Sequence, residues 1–227
     1  MKFPKFLTTV ISLSFILASC SKSGSGTGDT SSSMQFQLGI VNPLVTVNLV
    51  ASPGTILWNS GSAYATQVKL EAKQNGTEVE FKTTTPRLID PFAPVAGTMG
   101  NVTLPAGTYT ELEFKISLDQ NGSTPALVLN GQYTNASNTV IPVQFVLNSA
   151  FILKSEQNNI TVTANGSITA LTTLDMSLIS NGITQAMLNS ATVSGGKIII
   201  SALSNINLYN IIINNLQQFH HVEVNHH

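Results

Sequence analysis

The sequence predicts an all-β protein, a β-sandwich with a short C-terminal helix. Three observations lead to this fold class. Apolar residues alternate with polar ones over many short segments, which is the pattern of strands with one buried face. Asn-Gly pairs follow several of those segments, and Asn-Gly is the preferred pair for a tight hairpin turn. Residues 205–219 instead have the apolar spacing of an amphipathic helix.

The clearest hairpin covers residues 64–82. Its turn is Asn75-Gly76, because both central positions of a type I′ turn need a positive φ. This turn fixes the register of the two strands. The predicted pairs are Ala72 with Val79, Leu70 with Phe81, Glu71 with Glu80, and Lys69 with Lys82. The like-charged pairs are unfavourable, and opposite charges on the diagonals soften them.

A second strong strand is predicted at residues 109–119, with Leu112, Phe114, Ile116 and Leu118 facing inward. Leu-Pro-Ala-Gly at residues 104–107 precedes it and suits a type I turn. Further strands are predicted at residues 126–129, 140–147, 151–154, 160–164, 170–178 and 197–202. Residues 183–188 fit one turn of helix. The Ile-rich centre of the segment 205–219 leaves a strand open as the alternative to a helix.

The first 20 residues indicate where the chain is located in the cell. Two lysines precede an apolar run that ends on Leu-Ala-Ser-Cys at residues 17–20, which resembles the lipobox of bacterial lipoproteins. The run is too short to span a membrane, which takes about 20 apolar residues. The alternative is a cysteine that merely lies near an ordinary signal-peptidase site. The resemblance implies that residues 1–19 are removed and that Cys20 carries two or three acyl chains, enough for effectively permanent attachment.

The residues after Cys20 bear on location. Gram-negative lipoproteins retained in the inner membrane usually have Asp after the cysteine, whereas this chain has Ser21, so the resemblance implies the outer membrane. The acidic cluster that sends some lipoproteins to the cell surface is absent, and both faces of the outer membrane stay open. We therefore divide the chain into a signal peptide (1–19), an acylated cysteine with a flexible Ser/Gly tether (20–33), one sandwich domain (34–219) and a His-rich tail (220–227).

Composition excludes two classes of protein. Charged residues make up 9% of the chain and the net charge is −1, so the chain has no electrostatic footprint for nucleic acid. Cys20 is the only cysteine, which excludes an internal disulfide. No cofactor is expected.

A family resemblance adds to this reading. Leu-Pro-Ala-Gly-Thr-Tyr-Thr at residues 104–110, Leu-Tyr-Asn-Ile-Ile at 208–212 and the lipobox together resemble a group of Bacteroidota lipoproteins. The resemblance implies an uncharacterised immunoglobulin-like or transthyretin-like β-sandwich over nearly all of the mature chain. The group has no established catalytic residues, so none are carried over.

The sequence offers few arrangements of side chains that could catalyse a reaction. All four histidines lie in the last eight residues, away from any serine nucleophile in the sandwich. The glutamates lie at strand positions that face solvent, which argues against a catalytic carboxylate pair. Asp90 and Asp175 lie in apolar surroundings, and we interpret them as caps or as hydrogen-bond partners of buried backbone.

Two candidate ligand sites remain. His221, Glu223 and His227 would share one side of an extended tail, and such side chains bind zinc, nickel or copper. Trp58 is a candidate ligand contact, for example for stacking on a sugar, with burial in the core as its structural alternative.

The sequence favours a non-enzymatic lipoprotein, anchored to the outer membrane through Cys20, with a binding or structural role in the cell envelope. Its partners would be the membrane itself and a glycan or an envelope protein, and the oligomeric state is left open. Three alternatives are a glycan-binding accessory protein that uses Trp58, a pilus-type subunit processed after Arg87, and an enzyme that uses Asp90 or Asp175.

Overall fold

The computed structural model describes residues 31–47, 54–94, 96–218 and 220–226. The strands in these parts are β1 (Ser31–Val41), β2 (Leu44–Val47), β3 (Gly54–Gln74), β4 (Thr77–Thr83), β5 (Arg87–Ile89), β6 (Gly97–Pro105), β7 (Gly107–Leu118), β8 (Leu127–Thr134), β9 (Val140–Leu147), β10 (Phe151–Val162), β11 (Ser167–Asp175), β12 (Val193–Ser194), β13 (Lys197–Ile200) and β14 (His220–His226). The helices are α1 (Met176–Ile179), α2 (Gln185–Asn189) and α3 (Ile206–Leu216). Within the described residues, these helices are too short or too polar to cross a membrane.

The strands form two sheets. The smaller sheet has the order β14-β11-β1-β6, and the larger has the order β10-β7-β3-β8-β9-β13-β12. Strands β2, β4 and β5 also pair with β3. The pairs β1 with β11 and β9 with β13 are parallel, and the other pairs are antiparallel.

The 21-residue strand β3 organises the whole molecule. Its N-terminal half pairs with β8 and β2, and its C-terminal half pairs with β7 and β4. At about 3.3 Å per residue its path is about 65 Å long. The register of β3 shifts between Trp58 and Ser60 against β8, and between Ala65 and Gln67 against β7. The chain therefore has two halves that share one continuous strand.

One half is a sandwich and the other is a sheet covered by helices. In the sandwich half, β1 packs across β7, and the rings of Phe36 and Phe114 meet edge to face with centroids 6.1 Å apart. In the other half, Tyr209 of α3 stacks on Phe145 of β9 at 5.8 Å. Buried side chains from both halves form one continuous core.

The structure confirms the β-sandwich with a short C-terminal helix. The hairpin of β3 and β4 has the predicted register, and Asn75 and Gly76 have φ of 51° and 78°. Helix α3 buries Leu208 and Ile212, as its spacing predicts. At the N-cap of α3, the side chain of Asn205 bonds to the backbone of Thr192 and Ile199 instead of to the helix.

Both ends of the sandwich domain lie further out than the sequence predicted. Strand β1 begins at Ser31, and Ser32 is buried, so the last residues assigned to the tether belong to the sheet. Residues 220–226, which the sequence assigned to a tail, form β14 at the edge of the smaller sheet. Hydrogen bonding to β11 explains this second difference, because a strand edge accepts a short terminal segment whose sequence signal is weak.

Some internal boundaries also differ. The strands predicted at residues 151–154 and 160–164 are one strand, β10. The strand predicted at 170–178 ends at Asp175, because the Asp175 carboxylate accepts a hydrogen bond from the backbone N–H of Ser177 and starts α1. At residues 104–107 the chain bends at Ala106 and passes from the smaller sheet to the larger one.

Candidate functional site: a charged sheet face and an uncharged groove

Several predicted site residues lie where their side chains are not described. Cys20 and His227 lie outside the described residues, and so do the other residues up to 30, to which the sequence assigned a signal peptide and most of a tether. The backbone of His221 pairs with that of Thr173, and the backbone of Glu223 pairs with that of Leu171. The metal site proposed for His221, Glu223 and His227 therefore stays a prediction.

Trp58 lies in the core. Its exposed fraction is 0%, and its indole Nε1 donates a hydrogen bond to Ser180 Oγ at 3.2 Å. A buried ring cannot stack on a sugar, so the proposed role of Trp58 as a ligand contact is wrong. The strand pattern explains the burial, because Ile56 and Trp58 alternate with exposed Leu57 and Asn59 along β3.

Asp90 and Asp175 have the structural roles that the sequence predicted. Asp90 Oδ1 accepts a hydrogen bond from the backbone N–H of Phe92 at 2.9 Å. Asp175 accepts from the backbone N–H of Ser177 and from Asn42 Nδ2, each at 2.9 Å. Partial burial acts to raise the pKa of Asp175, but a hydrogen bond from Ser177 Oγ at 2.6 Å, together with these two, outweighs burial and holds its pKa below the usual range.

The outer face of the sandwich half carries most of the charge of this chain. We call it the charged face. It holds five of the nine lysines and six of the seven glutamates of the sequence. Its lysines are Lys69, Lys73, Lys82, Lys115 and Lys154, and its glutamates are Glu71, Glu78, Glu80, Glu111, Glu113 and Glu156.

The strand register sorts these charges into rows. Lys154, Lys115, Lys69 and Lys82 pair in turn across β10, β7, β3 and β4. The adjacent row contains Glu156, Glu113, Glu71 and Glu80 in the same order. Two residues along a strand separate the rows, a distance of about 7 Å.

Ion pairs join the two rows. Lys69 Nζ lies 2.6 Å from Glu71 Oε1 and 2.8 Å from Glu80 Oε2. Lys115 Nζ lies 2.6 Å from Glu71 Oε2 and also pairs with Glu113, which pairs in turn with Lys154. The diagonal pairs offset the repulsion between like charges that lie directly opposite each other.

This network shifts the pKa values of its members. The hydrogen bonds from Lys115 and Lys69 lower the pKa of Glu71 to about 2. The hydrogen bonds to Glu71 and Glu80 raise the pKa of Lys69, and those to Glu113 and Glu71 raise the pKa of Lys115. Lys69, Lys115 and Glu71 therefore keep their charges over a wide range of pH.

Three glutamates of this face lie close enough together to suggest a cation site. One carboxylate oxygen each of Glu111, Glu113 and Glu156 lies within 4.8 Å of the others. However, Lys115 and Lys154 both pair with the carboxylate of Glu113. Two ammonium groups already supply the positive charge there, so we assign no metal to this cluster.

A second surface feature has no charged side chains in its described part. A groove of about 520 Å³ lies between the second half of β1, the turn from β1 to β2, the outer side of β11 and the loop after β5. We call it the edge groove. Its lining includes Val41, Pro43, Pro91, Phe92, Pro94 and Leu171, with Gln37 and Thr173 as polar members.

The edge groove is suited to apolar contacts. No charged side chain lines its described part, and three of its lining residues are prolines, which lack a backbone N–H. Its volume lies in the usual range of small-molecule sites, about 300–1,000 Å³. By comparison, a cavity of about 490 Å³ beside β10 includes Asp119, and one of about 270 Å³ lies at the start of α3.

Sequence reasoning missed the edge groove. Its walls come from segments that are far apart in the chain, so no local pattern joins them. A partial signal exists in Asp-Pro-Phe-Ala-Pro at residues 90–94, where two prolines and a capped turn make a stiff loop with an aromatic side chain.

Comparisons with known proteins leave the function to be argued from this geometry alone. No protein-family model, no curated protein and no solved structure matches the chain significantly.

Proposed function

We propose that this protein is a lipid-anchored, non-enzymatic binding protein of the bacterial cell envelope, and that the edge groove receives an uncharged, largely apolar ligand. The observation that carries the binding role is the uncharged lining of the edge groove, in a protein whose charges gather on another face. Anchorage rests on the sequence at residues 17–20.

The apolar ligand class follows from what the groove offers. Desolvating an apolar ligand against Val41, Phe92 and Leu171 contributes about 25 cal/mol per Å² of apolar surface. A charged ligand would lose hydration without finding an opposite charge among the described lining residues. Gln37 and Thr173 are the polar groups that would orient the ligand.

A pair of variants on one strand tests the groove. Leu171 lines it, while Thr169 lies two residues away on the same outer side of β11. The uncharged fluorophore N-phenyl-1-naphthylamine serves as the probe. We expect Leu171→Asp to weaken probe binding at least tenfold and Thr169→Asp to leave it nearly unchanged. Equal effects of the two substitutions, or no binding to the parent protein, would remove the proposed ligand class.

The anchor has a separate test. Cells that express the protein are labelled with a palmitate analogue, and we expect incorporation into the parent protein and none into Cys20→Ser. Label in both proteins, or in neither, would contradict acylation at Cys20. Protease digestion of intact and lysed cells then decides between the cell surface and the periplasmic side of the outer membrane.

Two alternatives lose support. The glycan-binding alternative depended on an exposed Trp58, which is buried. The pilus-type alternative needs processing after Arg87, the only arginine, at the start of β5. Cleavage there would detach β1 to β4, which include central strands of both sheets, whereas strand exchange replaces a single strand.

A further inference from the structure

The first described strand, β1, begins at one end of the molecule. Ser31 pairs with Pro105, next to the bend that leads into β7, and the hairpin after Gln74 lies at the same end. We call this end the entry pole. The opposite end, the far pole, carries the paired residues Gly54, Val47, Thr134 and Val140.

Strand β1 runs inward from the entry pole between two neighbours. It makes nine registered pairs with β11, on one side, and eight with β6, on the other. The hydrogen bonds between strands run across the strand direction. A pull on Ser31 along the axis of β1 therefore loads many bonds at once, in shear, instead of breaking them one after another.

Four hydrogen bonds hold the start of β1 to the turn after β10, and we call them the clasp. Ser32 Oγ donates a hydrogen bond to the carbonyl oxygen of Thr163 and accepts one from the backbone N–H of Gly166 at 3.0 Å. The backbone N–H of Asn165 donates to the carbonyl oxygen of Ser31 at 2.9 Å, and Ser33 donates to Gly166 at 3.2 Å. The turn after β10 thus holds the residues where tension enters the fold.

We propose that β1 is the tension-resisting element of this protein, held in shear when its N-terminal end is pulled away from the far pole. The biological meaning rests on the proposed anchor at Cys20, since a lipid-anchored protein is pulled from its N-terminal side. The C-terminal strand has the opposite property. Among the described strands, β14 pairs only with β11, and its last pair, Ile168 with His226, lies toward the entry pole. A pull on the C-terminus peels β14 away pair by pair.

Single-molecule force spectroscopy on the full chain tests the proposal. The free thiol of Cys20, the only cysteine, is the first attachment point in protein that has not been acylated. The second is a cysteine introduced by Asn138→Cys, in the loop between β8 and β9 at the far pole, or a cysteine appended after His227. The force needed to unfold a protein by pulling depends on its unfolding rate. We expect the first event in the Cys20-to-138 geometry to need a severalfold higher force than the first event in the Cys20-to-C-terminus geometry.

A matched pair of variants tests the clasp. Ser32→Ala removes both hydrogen bonds of the Ser32 hydroxyl, while Ser33→Ala changes the exposed neighbouring residue. We expect Ser32→Ala to lower the Cys20-to-138 force and Ser33→Ala to leave it unchanged. Equal forces in the two pulling geometries would overturn the proposal. The force measurement needs no lipid, so its failure is distinguishable from failure of acylation in the palmitate experiment.

Discussion

Single polar side chains tie the helices to the larger sheet. Tyr133 of β8 donates its hydroxyl to Asn189 Oδ1 at the end of α2, at 2.8 Å. Asn215 of α3 donates to the carbonyl oxygens of Ile179 and Asn181, at 2.9 and 2.7 Å. Each such bond contributes about 0.5–1.5 kcal/mol to stability. Their directionality fixes where the helices sit on an otherwise apolar surface.

Trp58 gives the first prediction at this scale. Because the indole is fully buried, Trp58→Ala should lower the free energy of unfolding by about 3–5 kcal/mol, measured by urea denaturation. Trp58→Phe keeps most of the apolar volume but leaves Ser180 without its donor, so we expect a smaller loss. Trp58 is the only tryptophan, and its fluorescence in the parent protein should resist acrylamide. Quenching as efficient as that of a free indole would contradict the burial.

The Asn-Gly pairs give the second prediction at this scale, which concerns deamidation. Deamidation requires the backbone nitrogen of the glycine to attack the asparagine side chain. Gly166 donates that N–H to Ser32 Oγ, and the side chain of Asn130 accepts from Gln144 Nε2 within β8. Asn75 lies instead in an exposed turn. Peptide mapping by mass spectrometry after mild alkaline ageing should find most deamidation at Asn75 and least at Asn130 and Asn165. Uniform deamidation at these three sites would contradict the hydrogen bonds.

At the scale of elements, the corner between β6 and β7 joins the two sheets through one residue, Ala106. The buried ring of Tyr109 packs under this corner, and its hydroxyl donates to the carbonyl oxygen of Pro105 at 2.8 Å. Burial also raises the pKa of Tyr109, so its hydroxyl stays a donor at neutral pH. The Tyr109 hydroxyl thus fixes the crossing from β6 to β7 by bonding to a carbonyl oxygen four residues earlier. The tyrosine corner of immunoglobulin-type sandwiches uses a similar bond.

Tyr109→Phe tests the corner. It removes the donor to Pro105 and should cost about 0.5–1.5 kcal/mol in the free energy of unfolding, measured by urea denaturation. Tyr64→Phe is the matched control, since the Tyr64 hydroxyl accepts a hydrogen bond from Asn121 at an exposed site. We expect a smaller loss in the control. Equal losses would mean that the corner has no special part in stability.

The charged face makes a prediction about pH. The folded-state pKa of Glu71 is about 2, below its ordinary value of 4.5. Its carboxylate therefore contributes stability above pH 4.5, and this contribution is lost as the pH falls from 4.5 toward 2. Glu71→Gln should lower stability at pH 7, and the difference from the parent protein should shrink across that window in urea denaturation series. Glu78→Gln, at an exposed position of the same face, is the control. A difference that does not change with pH would exclude the ion pairs as its cause.

At the scale of the whole molecule, the smaller sheet contains both the first and the last of the described strands. Strand β1 comes from the N-terminal side and β14 from the C-terminal side, with β11 between them. Deletion of residues 220–227 uncovers one edge of β11 and should lower the thermal unfolding midpoint by several degrees. Deletion of His227 alone is the control. An unchanged midpoint after the longer deletion would restore the interpretation of this segment as a tail.

The features that could be predicted depend on residues close together in the sequence. The register of the β3–β4 hairpin followed from Asn75-Gly76, because a two-residue turn leaves the flanking strands one way to pair. Strand β1 was missed although Met34, Phe36 and Leu38 alternate with two glutamines, a signal that was available. Strand β14 was missed because histidines and the terminal position obscure the alternation of Val222 and Val224.

The sequence by itself determined the strand-rich class, the hairpin register and the amphipathic helix, and it predicts export of the chain. Each depends on residues that are close in sequence. The tertiary structure alone decided which strands are neighbours. It placed β7 and β10, with Lys115 and Lys154, alongside the β3–β4 hairpin in one sheet, which produced the charged rows, and it placed the loop of Phe92 across from Leu171, which produced the edge groove. Such contacts join segments tens of residues apart, and the packing of the whole core selects them.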